Sequence, residues 1–322
     1  MTETIVVLDP IPATTAERLR ALLPHGMQLT HGSARDEAHL QSIIADADYA
    51  ISGQIAVPGS VLRAGKRLRL LHKWGVGVDN LDLEAARELG IKVARTTGSN
   101  AVPVAEFALG LAIACMRHLA DGHAALAQRH WTGGNFGRPS MQLSRKTVGI
   151  IGFGATGQAL ARLLRGFGCT VLYHQRRRLE PAAEAALNAT RVELPELLAR
   201  SDVVSLHCPL TPETAGLIDR AALERMKRGA VLVNVARGGV VVESDLIWAL
   251  QNRIIQAAAM DVFETEPLPA DSPLIGVPGL VLTPHIAAQA ADNFEPTVRQ
   301  MFGNIERLSR GEPIPPGDVV VD

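Results

Sequence analysis

Hydrophobic positions in this chain fall in short runs separated by amphipathic stretches, and that alternation sets the expected elements. Apolar runs at residues 5–8, 49–52, 68–73 and 91–94 have the length and composition of strands, and residues 27–30, MQLT, read as a weak one. Between them, residues 15–23, 36–45 and 83–89 repeat apolar side chains at helical spacing, the last run stopping at Gly90. The pattern resumes after residue 145, with strands expected at 148–151, 170–174, 203–207, 231–234, 257–260 and 280–282. Strand–helix alternation at this spacing predicts α/β architecture with parallel sheets.

The stretch between the two halves is different. Residues 100–119, NAVPVAEFALGLAIACMRHL, are apolar on nearly every face of a helix. Such a helix is expected to be buried, at a domain or subunit interface. Asn100 can cap it, and Pro103 falls in its first turn, where a missing N–H costs little. Residues 120–144 are polar and Gly-rich around Trp131, which leaves open a dimer-clasping excursion or a plain surface connection.

Size and charge narrow the classes. A chain of 322 residues with 47% hydrophobic and 20% charged residues suits two domains with sizeable cores. A net charge of -1 argues against nucleic acid or an anionic membrane as partner. No apolar run reaches the length of a membrane span. The start, MTETIVVLDP, lacks the charged-then-apolar pattern of a signal peptide, so a cytoplasmic location is expected. Cys115, Cys169 and Cys208 are too scattered to suggest a disulfide framework or a metal site.

Candidate chemistry begins at residues 147–157, TVGIIGFGATG. Gly152, Gly154 and Gly157 follow a strand and open a helix expected over 158–167, the setting of a dinucleotide-binding fingerprint. Gly152 allows the tight turn, Gly154 lets a pyrophosphate approach, and Gly157 lets helix and strand pack closely. The N–H groups at the helix start, around Ala155 and Thr156, would face the phosphates. Eighteen residues after Gly157, where an NAD-binding domain commonly carries an acid for the ribose, stands Gln175. Arg176, Arg177 and Arg178 follow it. A missing acid beside cations favours NADP over NAD, the bland alternative being a solvated basic turn.

Polar residues also cluster after the other strands of this half: Cys208-Pro209, Val235-Ala236-Arg237, Asp261 and His285. Open α/β sheets build their sites at the carboxyl ends of strands. Three groups fit one reaction. Reducing a 2-keto acid needs hydride at carbon and a proton at oxygen; His285 can give the proton, with Glu266 favouring its protonated form. Arg237 can grip carboxylate and keto oxygens together. The alternative is a surface Arg237–Glu266 pair and a packed His285. In the first half, Gly75 and Gly77 follow a strand, and exposed N–H groups there can hold a carboxylate. Ser52 and Gly53 end another strand and are candidates to line the same site.

These residues resemble the D-2-hydroxyacid dehydrogenase family over nearly the whole chain. The resemblance rests on the glycine fingerprint, HCPLTPETAGLID at 207–219, VNVARGGVV at 233–241, MDVFETEPL at 260–268 and LTPHIA at 282–287. It implies two doubly wound parallel-sheet domains: a Rossmann cofactor domain, 99–287, inserted into a flavodoxin-like substrate domain, 1–98 plus 288–322. It implies Arg237, Glu266 and His285 as the catalytic set, Asp261 as partner of the nicotinamide amide, and the helix start around Val104 beside the nicotinamide. It implies Val76 and Gly77 as the loop for the substrate carboxylate, a small 2-keto or 2-hydroxy acid as substrate, and a homodimer. Gln175 departs from many NAD-using members, and Glu266 stands where formate dehydrogenases of the family use Gln. The expected activity is glyoxylate or hydroxypyruvate reduction with NADPH. An NAD-linked phosphoglycerate dehydrogenase-like enzyme and a nucleotide-sensing corepressor-like protein are the alternatives.

Overall fold

The computed structural model describes residues 2–322. Along the chain run β1 (Glu3–Val7), β2 (Met27–His31), β3 (Tyr49–Ser52), β4 (Leu70–Lys73) and β5 (Lys92–Arg95). Then come β6 (Thr147–Ile151), β7 (Thr170–His174), β8 (Ala189–Arg191), β9 (Val203–Leu206), β10 (Val231–Asn234), β11 (Ala257–Met260) and β12 (Leu280–Leu282). A last strand, β13 (Val319–Val321), follows them. The chain divides into two compact units, Met1–Asn100 with Ala290–Asp322, and Ala101–Gln289.

The first unit holds a six-stranded sheet in the order β13-β5-β4-β3-β1-β2. Its first five strands are parallel and β13 is antiparallel to β5. The parallel order 2-1-3-4-5 is that of flavodoxin-like sheets. Side chains alternate between two cores: Val6, Leu8, Ala50, Leu71 and Val93 face one, Ile5, Val7, Tyr49, Ile51 and Leu70 the other. Strands buried on both faces need such uninterrupted apolar runs. The helix Phe294–Ser309 covers the second face with Val298, Met301, Phe302 and Ile305. Chain from beyond residue 290 thus completes the sheet begun at residue 3.

In this unit a buried polar network joins that helix to β4. His72, fully buried, lies with Nδ1 2.9 Å from the Lys73 carbonyl, which can only accept, so Nδ1 carries the proton. Its Nε2 accepts from Asn304 at 3.1 Å, and Asn304 also donates to Asp318 at 3.0 Å. Burial pushes the His72 imidazole down to about 4.

The second unit is a seven-stranded, wholly parallel sheet, β12-β11-β10-β9-β6-β7-β8. Strand order reverses between β6 and β9, the topological switch point at which such sheets bind ligands. Val203, Val233 and Ala259 face one core, and Val204, Leu232 and Ala258 the other. The apolar helix is Ala101–Arg117. It is buried by its own unit: Val104, Ala105, Ala108, Leu111, Ala112, Cys115 and Met116 join the core with Val148, Val233 and Ala259. Val102 on the same helix is left 56% exposed. His118, at φ 55°, turns the chain into a second helix, Leu119–Ala127, where the sequence pattern left only a polar stretch. None of that helix's residues is buried, and its Leu119 and Leu126, one heptad apart, are exposed.

Candidate active site

The glycine fingerprint sits at the switch point. Gly152 has φ +87°, and a Cβ there would lie 2.5 Å from the Cys208 backbone nitrogen at the end of β9. A Cβ on Gly157 would lie 2.5 Å from the Gly152 carbonyl. Both glycines are thus fixed by close approach. Gly154 differs: a Cβ there would meet nothing within 4 Å, so the chain leaves open space in front of the helix Ala155–Leu164. No side chain caps that helix, so its first-turn N–H groups and positive dipole end are left for an anion. Ala155 is exposed and Thr156 half-buried at this edge. The fit to a dinucleotide pyrophosphate comes from this chain's own geometry.

The remaining candidates line the same carboxyl edge of the sheet, strand by strand. After β7 comes Gln175, half-buried, whose amide donates to the Arg177 carbonyl at 2.6 Å. Arg176 and Arg177 are exposed. Arg178 is not part of an open trio: it is paired with Glu184, Nη2 to Oε2 at 2.7 Å and Nε to Oε1 at 3.0 Å. After β9 come Cys208, buried, its thiol pushed up to about 11 by burial and so unreactive, and exposed Pro209. Val104, Val235 and Ala236 are 7%, 9% and 7% exposed, so any contact they make with a cofactor is through small patches of apolar surface.

Arg237 follows β10 in extended conformation, and its Nη1 donates to the Ala236 carbonyl at 2.7 Å. Its turn is held by the fully buried Asn234, which donates to the Arg237 carbonyl at 2.9 Å and accepts from Ala236 N–H at 3.0 Å. A Cβ on the next residue, Gly238, would overlap the Phe263 carbonyl group. Glycine there lets the Arg237 turn lie directly on the segment leading to Glu266.

Glu266 and His285 meet. Nδ1 of His285 lies 2.6 Å from Oε2 of Glu266, and Oε1 accepts from Phe263 N–H at 3.0 Å. Burial alone would raise the Glu266 carboxyl. The bonds from His285 and Phe263 and the charges of His285 and Arg237 outweigh it and hold the group below the usual carboxylate range. Both side chains keep 31% of their surface, enough for a ligand to reach them.

His285 stands at φ 53°, in the left-handed region. Asp261 holds it there. Its carbonyl accepts from His285 N–H at 2.8 Å. Its carboxylate, fully buried, accepts from the Thr283 hydroxyl at 2.6 Å, Ile286 N–H at 3.0 Å and Ala287 N–H at 2.9 Å. These bonds tie the carboxylate expected beside the nicotinamide amide to the loop that carries His285. Asn234 and Asp261 share a signal that the pattern offered: each is a polar residue at the end of an otherwise apolar, buried strand.

In the first unit the substrate candidates separate. Ser52 is fully buried and donates to the Ile55 carbonyl at 2.9 Å. The N–H groups of Gly53, Gln54 and Ile55 converge on the Asp9 carboxylate at 2.5, 2.9 and 3.1 Å. The Ser52 hydroxyl and the Gly53 N–H therefore have internal partners. Residues 75–78 are half-buried, with Gly75 at φ +134° and its N–H held by Thr96 at 3.0 Å. Val76 and Gly77 remain accessible.

A family model described as "D-isomer specific 2-hydroxyacid dehydrogenase, NAD binding domain" matches residues 109–287. The D-3-phosphoglycerate dehydrogenase of Mycobacterium leprae is 36% identical over 312 residues, 97% of this chain and 58% of the relative. The chain thus spans little more than half the length of such relatives. The hydroxypyruvate reductase of Thermotoga maritima is 37% identical over 262 residues, 80% of this chain and 83% of the relative. A solved structure from Thermus thermophilus superposes with TM-score 0.86 at 33% identity, covering 99% of this chain and 100% of that one. With its two parallel sheets, its glycine turn at the switch point and its Arg237, Glu266 and His285 at one sheet edge, this chain belongs to the D-isomer specific 2-hydroxyacid dehydrogenase family.

Proposed function

We propose that the protein reduces small 2-keto acids to D-2-hydroxy acids, with glyoxylate or hydroxypyruvate as substrate and NADPH as preferred reductant. The observation that carries the reading is the His285–Glu266 pair at 2.6 Å, set beside Arg237 on the carboxyl edge of the sheet. A bound reduced nicotinamide supplies hydride to the carbonyl carbon. The protein's own part is the proton and the grip. Glu266 occupies Nδ1 of His285, so Nε2 is the nitrogen that delivers a proton to the keto oxygen. Arg237 pairs with the substrate carboxylate and polarises the carbonyl, a task its planar fork suits. In the reverse direction His285 takes the hydroxyl proton as base.

The choice of a non-phosphorylated substrate rests on the segment after β3. The N–H groups of residues 53–55 are filled by Asp9, and the cation at this segment, Lys73, is turned onto the Gly53 carbonyl and Asn80. The cofactor choice rests on Gln175 with exposed Arg176 and Arg177. The test is a panel of glyoxylate, hydroxypyruvate, pyruvate and phosphohydroxypyruvate against NADPH and NADH. Fastest turnover with phosphohydroxypyruvate would overturn the substrate choice, and an NADH preference would overturn the cofactor choice.

A further inference from the structure

The turn that follows β7 is braced from behind. Glu184 lies on the helix Pro181–Leu187 and is 8% exposed. It grips Arg178 through two bonds and accepts the Tyr173 hydroxyl proton at 2.5 Å. The same hydroxyl accepts from Leu179 N–H at 3.0 Å. Tyr173 is fully buried and stacks on Phe153, ring centroids 4.3 Å apart. Phe153 is the residue between Gly152 and Gly154, so one set of contacts ties the pyrophosphate turn to the arginine turn. From the other side, Gln175 holds the Arg177 carbonyl, and Arg191 donates to the Gln175 carbonyl at 3.3 Å.

We infer that Glu184 is a positioning residue for cofactor choice: by holding Arg178 and Tyr173, it fixes the turn that presents Arg176 and Arg177 to a ribose 2′-phosphate. The inference rests on the NADPH reading above. Three consecutive arginines on an unbraced turn would repel one another and disperse into solvent. Glu184 removes one from that competition, with the bidentate geometry that carboxylate and guanidinium match best. A carboxylate in that place would also repel a phosphate were it exposed, but it is buried and paired. Glu213 lies near enough to feel the Arg176 charge, and its carboxyl is lowered mainly by its bond from Thr211 and in part by that charge. Glu184 touches no part of the cofactor in this account. It acts through the backbone of residues 175–179.

Two nucleotide probes separate this role from a merely structural one. Adenosine 2′,5′-bisphosphate carries the 2′-phosphate and adenosine 5′-monophosphate lacks it. Their affinities are measured by calorimetry on the full chain, on Glu184→Gln and on Tyr173→Phe. Glu184→Gln should weaken bisphosphate binding by about tenfold, the worth of a charge-assisted hydrogen bond, and leave monophosphate binding unchanged. Tyr173→Phe, which keeps the ring stack and serves should Glu184→Gln fail to fold, should give a smaller loss in the same direction. Equal weakening of both probes, or no weakening of either, overturns the inference while the cofactor reading stands. Equal binding of both probes by the unsubstituted protein overturns the cofactor reading, and the inference with it.

Discussion

Asp261→Asn is the substitution that most sharply separates holding His285 from touching the cofactor. The replacement keeps the shape and exchanges one carboxylate oxygen for an NH₂ group. The less costly orientation keeps oxygen toward Thr283 and Ile286, and turns NH₂ toward Ala287 N–H, 2.9 Å from the present Oδ2. Two donors then face each other in a fully buried site. An unsatisfied buried donor costs about 1–3 kcal/mol, and the two remaining bonds lose their charge assistance. Relief from burying an ion offsets part of this. The net loss comes to about 2–3 kcal/mol. That exceeds the ~1–2 kcal/mol by which the left-handed backbone of His285 is disfavoured, so the loop should relax and draw the ring from Glu266. Urea denaturation should show a lowered midpoint with an unchanged slope, and kcat for hydroxypyruvate should fall at least about tenfold. Binding of adenosine 2′,5′-bisphosphate should not change. Native stability together with native kcat would refute the reasoning.

Further expectations follow from other contacts. Gly238→Ala puts a Cβ into the Phe263 carbonyl and should cost several kcal/mol, seen as loss of soluble protein or a lowered melting temperature; a native melting curve would contradict it. His72 titrates low when folded and near 6.5 when unfolded, so its contribution is present above pH 6.5 and is lost as pH falls toward 4. That contribution is about 3 kcal/mol, and the stability of His72→Gln should therefore fall less steeply than that of the unsubstituted protein between pH 6.5 and 4. Parallel pH profiles would remove His72 from that role. Leu119, Leu126 and Trp131 are 56%, 56% and 85% exposed on one segment, and light scattering should find a dimer that Trp131→Asp weakens. A monomeric unsubstituted protein would leave that apolar surface without this explanation.

The sequence pattern located most of what repeats. Strands buried on both faces announce themselves as unbroken apolar runs, and the parallel strands overlap such runs except the three-residue β8 and the half-exposed edge strand β2, MQLTH. The glycine fingerprint was legible because the close approaches at Gly152 and Gly157 allow few other residues. Residue types at 237, 266 and 285 were legible, and so was the pairing of Glu266 with His285, because the reaction itself asks for a carboxylate beside the imidazole; the left-handed turn at His285 that brings the ring to Glu266 was not. Polar pairs that span the sheet were missed. Asp9 reaches Gly53 across 44 positions, and Asp261 reaches Ala287 across 26. Nothing local marks these partners; the sheet order brings them together. Arg178 shows the converse error. Read as one of three like residues, it is set apart by Glu184, six positions on and buried.

The central claim is that His285, held by Glu266, delivers the proton that accompanies hydride transfer. Its most direct measurement is the steady-state oxidation of NADPH by hydroxypyruvate and glyoxylate, in the unsubstituted protein and in His285→Ala. The account predicts turnover in the first, with one 2-hydroxy acid formed per NADPH consumed and the D isomer formed from hydroxypyruvate. It predicts a fall of about 10²–10⁴ in kcat in the second, with nucleotide binding retained. No turnover with either keto acid and either reduced nicotinamide, or an unimpaired His285→Ala, would contradict it.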